Sequence, residues 1–127
     1  TAILAHLAGS VIAVEGRAQL VEKAQEALVS NGIDNAVVIK SRLVDGYPEE
    51  GPYDRILIEG AVESVPDALL EQLTASGKLV AIYRPHDAPI GVASLWSHAG
   101  SSFVRKPLFD ARVPNLDEFA KKPEFVF

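Results

Sequence analysis

Three acidic residues stand at the ends of apolar runs, where a folded α/β protein would hold its chemistry. Glu15 closes the run 11–14, and Glu59 closes the run 56–58, with Glu63 shortly after it. Apolar runs of this length between turn residues are typical of strands buried on both faces. Ligands in open α/β sheets bind at the carboxyl ends of the strands. The three acids are therefore candidates for ligand binding or acid–base work.

Glu15 has the position of a nucleotide-binding acid, because a carboxylate between a strand and a helix binds the two hydroxyls of a ribose in such folds. The ordinary alternative is a solvated acid beside a helix amino terminus, which the helix dipole favours by itself. Position alone leaves both interpretations open. The glycine-rich phosphate or methionine loop that should precede such an acid is absent from the chain.

Glu59 and Glu63 flank one predicted rim, and of the two we expect Glu59 to face a ligand. Asp54, at the other end of that strand, is interpreted as structural, capping the strand or pairing with Arg55. The histidines are scattered without the spacing of metal ligands, so no metal site is predicted. The serines show no nucleophile-elbow pattern, and the catalytic residues stay unknown.

Composition places the chain among ordinary globular proteins. Its 127 residues, 48% hydrophobic and 23% charged, suit one domain over 1–127. The net charge of −5 argues against nucleic acid as a partner. Without cysteine there are no disulfides or thiolate metal sites. No apolar run approaches the roughly 20 residues that span a bilayer, and nothing resembles a signal peptide. We therefore predict a cytoplasmic protein with no membrane partner.

The elements that must position the acids alternate between strand and helix patterns. Strands are predicted at 11–15, 35–39, 53–58 and 78–83, helices at 17–31 and 66–76, and a polar loop at 40–50. This alternation is typical of a doubly wound α/β sheet with right-handed crossovers. Residues 90–98 and 102–108 are predicted to form an antiparallel hairpin at the sheet edge. The tail 110–127 is interpreted as irregular, with its last three residues packed down.

Several of these runs together resemble the protein-L-isoaspartate O-methyltransferase family. They are PYDRILI at 52–58, VPDALLEQL at 65–73, GKLVA at 77–81, VRKPL at 104–108 and the strand 11–15. The ending KPEFVF at 122–127 is similar to that of a divergent bacterial branch. None of these runs by itself is specific to the family, but their combination is. Together they extend over nearly the whole chain.

The resemblance implies a Rossmann-like methyltransferase sheet, mostly parallel with an antiparallel C-terminal hairpin, of which residues 1–127 form the C-terminal part. It implies methyl transfer from S-adenosylmethionine to the carboxylate of damaged aspartyl residues, with a protein or peptide bearing isoaspartate as partner. Catalysis in the family comes mainly from holding donor and carboxylate in line. The positions that similarity assigns to cofactor binding are Glu15, Gly16, Arg42, Leu43 and Glu59.

The chain departs from the family pattern at three of these positions. Arg42 and Leu43 stand where the family has Asp-Gly, whose aspartate holds the adenine amino group, and arginine offers no acceptor. Glu59 replaces a threonine, and its charge would repel a carboxylate substrate. The family's first strand, glycine-rich loop and substrate-binding serine fall upstream of Thr1. We therefore expect a truncated chain, inactive by itself, whose missing central strand comes from further residues, another chain or a homodimer.

Two functions from different classes follow from these residues. The first is an isoaspartyl methyltransferase whose full-length form binds S-adenosylmethionine, and Glu15 with the strand–helix core favours it. The second is a degenerate, non-catalytic methyltransferase fold kept as a binding or assembly module, which Arg42 and Glu59 favour. A nicotinamide-dependent dehydrogenase would share the fold and the ribose acid. It is less favoured, because the run after Gly60 resembles the methyltransferase pattern.

Overall fold

The chain forms two compact units, Thr1–Glu49 and Glu50–Phe127, and each contains its own sheet. The computed structural model describes residues 1–122. The predicted packing of residues 125–127 lies outside the described residues. The single domain over 1–127 stays a prediction.

Unit 1 (Thr1–Glu49) is built on two parallel strands. Helix α1 (Ala2–Leu7) precedes strand β1 (Val11–Glu15), and helix α2 (Ala18–Ser30) connects β1 to strand β2 (Ala36–Lys40). The strands pair from Val11 opposite Ala36 to Glu15 opposite Lys40. The small core comprises Ala5, Leu28, Ile33 and Val38.

Helix α2 confirms the helix predicted from the apolar stripe, and it ends where Asn31-Gly32 indicated. Gly32 adopts a φ of +68°, a left-handed conformation that glycine takes without strain. The amides of Gly32 and Ile33 donate to Val29 O and Leu28 O at 3.0 and 2.9 Å, the pairing of a Schellman motif. Local sequence therefore determines this boundary.

Unit 2 (Glu50–Phe127) contains a four-stranded sheet. Its elements are strand β3 (Tyr53–Val62), helix α3 (Asp67–Leu70) and strands β4 (Leu73–Tyr83), β5 (Gly91–Ala99) and β6 (Ser102–Ala111). The strand order is β3-β4-β5-β6. Strand β3 runs parallel to β4, and the other neighbours are antiparallel, so the predicted hairpin at the sheet edge is confirmed.

The helix predicted over 66–76 is wrong in its second half, because α3 ends at Leu70 and β4 already begins at Leu73. The amide of Tyr53 donates to Gln72 O at 2.7 Å, which ties the start of β4 to β3. Thr74 Oγ1 then donates to the Asp54 carboxylate at 3.1 Å. The apolar spacing suits either a helix or a strand, and pairing with β3 decides in favour of the strand.

Strand β3 does not end at Glu59, as the sequence indicated, but continues to Val62. Its register against β4 shifts between Leu57 and Ala61, and Glu59 lies in this irregular stretch. Beyond it, Ala61 exchanges backbone hydrogen bonds with the tail. Its amide donates to Pro114 O at 3.0 Å, and its carbonyl accepts from Leu116 N at 2.9 Å. Distant tail residues thereby extend the strand past its predicted end.

The predicted polar loop 40–50 contains two short 3-10 helices, Leu43–Asp45 and Pro48–Glu50. A third, Asp117–Phe119, lies in the tail, where Phe119 is buried. Among residues 1–122, no helix combines the length and apolar character needed to cross a bilayer. The same residues contain no cluster of three or more histidine or acidic side chains arranged to hold a metal ion.

Candidate functional site

Four of the five predicted cofactor positions lie together at one edge of unit 1. Strands β1 and β2 are parallel, so their carboxyl ends share an edge, where Glu15 stands opposite Lys40. The amide of Ser41 donates to Glu15 O at 3.2 Å and extends the pairing beyond the strands. Gly16 follows β1 directly, and Arg42 and Leu43 follow Ser41. This edge is the ligand-binding position of α/β sheets.

The Glu15 carboxylate is partly withdrawn from solvent and turned toward the start of α2. Its side chain is 29% exposed, and Oε1 lies 3.6 Å from Arg17 Nε. The same oxygen accepts a hydrogen bond from the Arg17 amide at 3.0 Å. An ionised carboxylate has about four acceptor positions, so this bond leaves capacity for ribose hydroxyls. The local role and the cofactor role of Glu15 are thus compatible.

Arg42 does not fit the amino group of an adenine, but a carboxylate lies beside it. Arg42 caps the 3-10 helix Leu43–Asp45 at its amino terminus, and its Nη1 lies 3.8 Å from Asp45 Oδ2. Both side chains are exposed. Sequence reasoning missed Asp45, although its spacing of three residues from Arg42 is the signal that brings the two together on one helical turn. Asp45 therefore places a carboxylate acceptor on this turn.

In unit 2, Glu59 is exposed and Glu63 is largely buried. The Glu63 side chain is 16% exposed and lies in a pocket of about 320 Å³. The described residues that line this pocket are Glu63, Arg84, Pro85, His86, Asp87, Ala88, Pro89 and Asn115. Glu59 is not among them. Of the two acids that the sequence singled out after this strand, Glu63 lines the pocket.

The pocket beside Glu63 is ordered by polar contacts between distant segments. The Lys121 amide donates to Glu63 Oε2 at 2.9 Å, and His86 Nδ1 lies 3.7 Å from Glu63 Oε1. On its other side, His86 Nε2 lies 3.4 Å from Asp87 Oδ1. Arg84 Nε donates to Ala88 O at 3.0 Å. His86 thus lies between the carboxylates of Glu63 and Asp87.

Asp54, interpreted from the sequence as capping the strand or pairing with Arg55, contacts both neighbouring segments. Arg55 Nη1 donates to the backbone carbonyl of Asp54 at 2.7 Å. The Asp54 carboxylate accepts from Thr74 Oγ1. Asp54 therefore links the beginnings of β3 and β4, at the amino ends of these strands and away from the pocket.

The fold is similar to that of two solved structures. A protein-L-isoaspartate O-methyltransferase structure superimposes with a TM-score of 0.77 at 23% identity, covering 84% of this chain and 34% of that one. A second, from Plasmodium falciparum in complex with S-adenosyl-L-homocysteine, gives a TM-score of 0.70 at 22% identity, with 86% and 53% covered. These likenesses confirm the predicted Rossmann-like methyltransferase fold class.

Sequence comparison identifies the family. The family model for protein-L-isoaspartate(D-aspartate) O-methyltransferase matches residues 1–90. A protein-L-isoaspartate O-methyltransferase of Nitrobacter winogradskyi is 34% identical over 96% of this chain and 56% of its own length. Its counterpart from Methanoculleus marisnigri is 36% identical over 68% of this chain and 39% of its own. The chain belongs to the protein-L-isoaspartate O-methyltransferase family, and it spans about half the length of the curated relatives it matches.

Proposed function

We propose that the full-length protein is an S-adenosylmethionine-dependent methyltransferase that acts on the carboxylate of isoaspartyl residues in damaged polypeptides. Family membership supports this proposal, and one observation carries it for this chain: Glu15 lies at the shared carboxyl edge of β1 and β2. The bound cofactor would supply an electrophilic methyl group. The residues of this chain would bind and orient, which is the main part of the catalysis when donor and acceptor must be held in line.

Each residue at this edge is assigned a contact with the cofactor or with a neighbouring side chain. Glu15 accepts from the ribose hydroxyls, and Gly16 leaves room for the ribose beside the backbone. Asp45, rather than Arg42, accepts from the adenine amino group, while Arg42 holds the Asp45 carboxylate in position. Leu43 lies on the same turn, where an apolar side chain would contact the adenine ring.

The remaining predictions concern the partners, the location and the oligomeric state of the protein. The acceptor is a protein or peptide with an isoaspartyl residue, and neither nucleic acid nor membrane is a partner. A cytoplasmic location and a homodimer stay predictions. Sedimentation of the full-length protein over a concentration series would detect the dimer, and a constant monomer mass would contradict it.

Calorimetric titration of the full-length protein with S-adenosylmethionine tests the proposed function. We expect binding, followed by methyl transfer to an isoaspartyl peptide but not to its aspartyl counterpart. Glu15→Ala should abolish both, because the ribose loses its acceptor. Glu22→Ala is the matched control, since Glu22 is an exposed acid on α2. Absence of binding at millimolar cofactor would exclude the enzyme.

The second candidate function, a non-catalytic binding or assembly module, is favoured by the Arg42–Asp45 ion pair, which occupies the adenine position with a cation. Under this alternative the Asp45 carboxylate is engaged by Arg42 and does not accept from a cofactor. The same titration separates the two functions, because the module would give neither cofactor binding nor methyl transfer.

A further inference from the structure

The pocket beside Glu63 lies where α/β sheets bind ligands, and it belongs to a different unit from four of the five predicted cofactor positions. Strands β3 and β4 are parallel and end at Val62 and Tyr83. Glu63 and Arg84 directly follow these ends, so the pocket stands at their shared carboxyl edge. Its volume of about 320 Å³ lies at the lower limit of small-molecule sites. It suits the head of one side chain.

The charge in this pocket favours a cationic ligand. The Glu63 carboxylate is mostly withdrawn from water, and such a group is stabilised by a cation or by several hydrogen-bond donors. The Lys121 amide satisfies Oε2 at 2.9 Å. Oε1 faces His86 Nδ1 at 3.7 Å, which is too long for a hydrogen bond. A donor that entered the pocket would therefore improve the coordination of Oε1.

The neighbouring groups do not neutralise the negative charge of the Glu63 carboxylate. Arg84 is the pocket's guanidinium, and its Nε donates to Ala88 O within its own loop. Asp87 adds a second carboxylate. Among the lining side chains other than His86, the two carboxylates and one guanidinium leave a net negative charge. His86 is 80% exposed, so its imidazole can move aside at little cost in packing.

We propose that this pocket binds the ammonium or guanidinium group of a lysine or arginine side chain in the polypeptide that the protein methylates. The identity of that polypeptide rests on the proposed function, whereas the recognition of a basic side chain does not. An acidic side chain would be repelled by Glu63. The protein should therefore prefer isoaspartyl sites that have a basic residue nearby.

Nuclear magnetic resonance titration of the full-length protein tests the pocket without cofactor or turnover. The probes are N-acetyl-lysine amide, its neutral counterpart N-acetyl-norleucine amide and the anionic N-acetyl-glutamate amide. We expect only the lysine derivative to shift the backbone amides of Glu63 and Asn115. Equal shifts with the neutral probe, shifts with the anionic probe alone, or no shifts at tens of millimolar would overturn the proposal.

Paired variants assign the binding to Glu63. Glu63→Gln should weaken it roughly fivefold, the effect of losing one partly exposed ion pair. The glutamine oxygen can still accept from the Lys121 amide, so the pocket is kept. Glu71→Gln is the control, because Glu71 is exposed and precedes β4 at its opposite end. His86→Ala should bind at least as tightly as wild type. Weaker binding there, or an unchanged Glu63→Gln, would contradict the assignment.

Methyl transfer then tests the link to the substrate. Two isoaspartyl peptides that differ only by lysine or glutamine beside the isoaspartyl residue should differ in KM roughly fivefold, and Glu63→Gln should remove the difference. Equal KM values would refute the substrate preference. If neither peptide is methylated while the lysine derivative still binds, the proposed function fails and the pocket stands.

Discussion

Glu15 and Arg42 lie at one edge of a two-stranded sheet, yet they offer opposite hydrogen-bonding chemistry. Glu15 only accepts and fits a ribose. Arg42 only donates and does not fit an adenine amine. The Asp45 carboxylate lies 3.8 Å from Arg42 Nη1. At the scale of single residues, Asp45 would take the place of the acceptor that position 42 lacks, an exchange within one turn.

Asp45→Asn tests this exchange. It removes the charge and leaves a weaker acceptor, so the affinity of the full-length protein for S-adenosylmethionine should fall by roughly tenfold, the effect of one hydrogen bond to a charged group. Calorimetric titration measures the change. Asp34→Asn, at an exposed acid before β2, should leave the affinity as it is. An unchanged affinity in Asp45→Asn would mean that Asp45 has no part in adenine binding.

At the scale of elements, the first part of β4 lies close to the backbone of β3 at Gly77. A Cβ built on Gly77 would lie 2.9 Å from the carbonyl oxygen of Tyr53 and 3.0 Å from the amide of Thr74. Both are backbone atoms of the paired strands and cannot turn away as a side chain would. Glycine at 77 therefore permits the tight start of β4 against β3.

Gly77→Ala should destabilise unit 2 by about 1–3 kcal/mol, the usual cost of forcing an extra methyl group into a packed site. Chemical denaturation followed by the fluorescence of Trp96, the single tryptophan, reports the free energy of unfolding of this unit. Ser76→Ala, one position earlier and exposed, is the control and should unfold like wild type. Equal stability of Gly77→Ala and Ser76→Ala would show that the strands separate easily at this point.

At the scale of the whole molecule, each unit is organised around its own buried side chains. Unit 1 has the cluster around Leu28. In unit 2, Leu79 has no exposed surface and stands opposite Trp96 in the pairing of β4 with β5. Tyr83 packs edge-on against Trp96, with ring centroids 6.3 Å apart. The core of unit 2 therefore lies against the face of the sheet that carries Leu79.

Leu79→Ala should lower the free energy of unfolding of unit 2 by about 2–5 kcal/mol, since it removes buried apolar area and leaves a cavity. Trp96 fluorescence during denaturation measures this change directly. Val104→Ala, at a half-exposed position on the edge strand β6, should cost less than about 1 kcal/mol. Equal losses in the two variants would contradict the assignment of Leu79 to the centre of the unit.

The elements that could be predicted are those whose signals are local. Helix α2 was predicted because its apolar stripe and the Asn31-Gly32 ending lie within a few residues of one another. The beginning of β4 was not, because Leu69, Leu70 and Leu73 suit a helix as well as a strand. A hydrogen bond from Tyr53, distant in the chain, decides it. The register shift around Glu59 likewise could not be predicted, since the tail residues that pair beyond it come much later in the chain.

The sequence by itself predicted the family, through the resemblance of its combined runs, and the principal strands, through their apolar periodicity. The parallel pairing of β1 and β2 then places Glu15, Gly16, Arg42 and Leu43 at one edge, because parallel strands bring their carboxyl ends together. Only the tertiary structure decided that Glu63 stands in a pocket with His86 and Asn115. Pattern cannot reveal such a pocket, because its walls come from segments widely separated in the chain that touch only when backbone pairing has placed them.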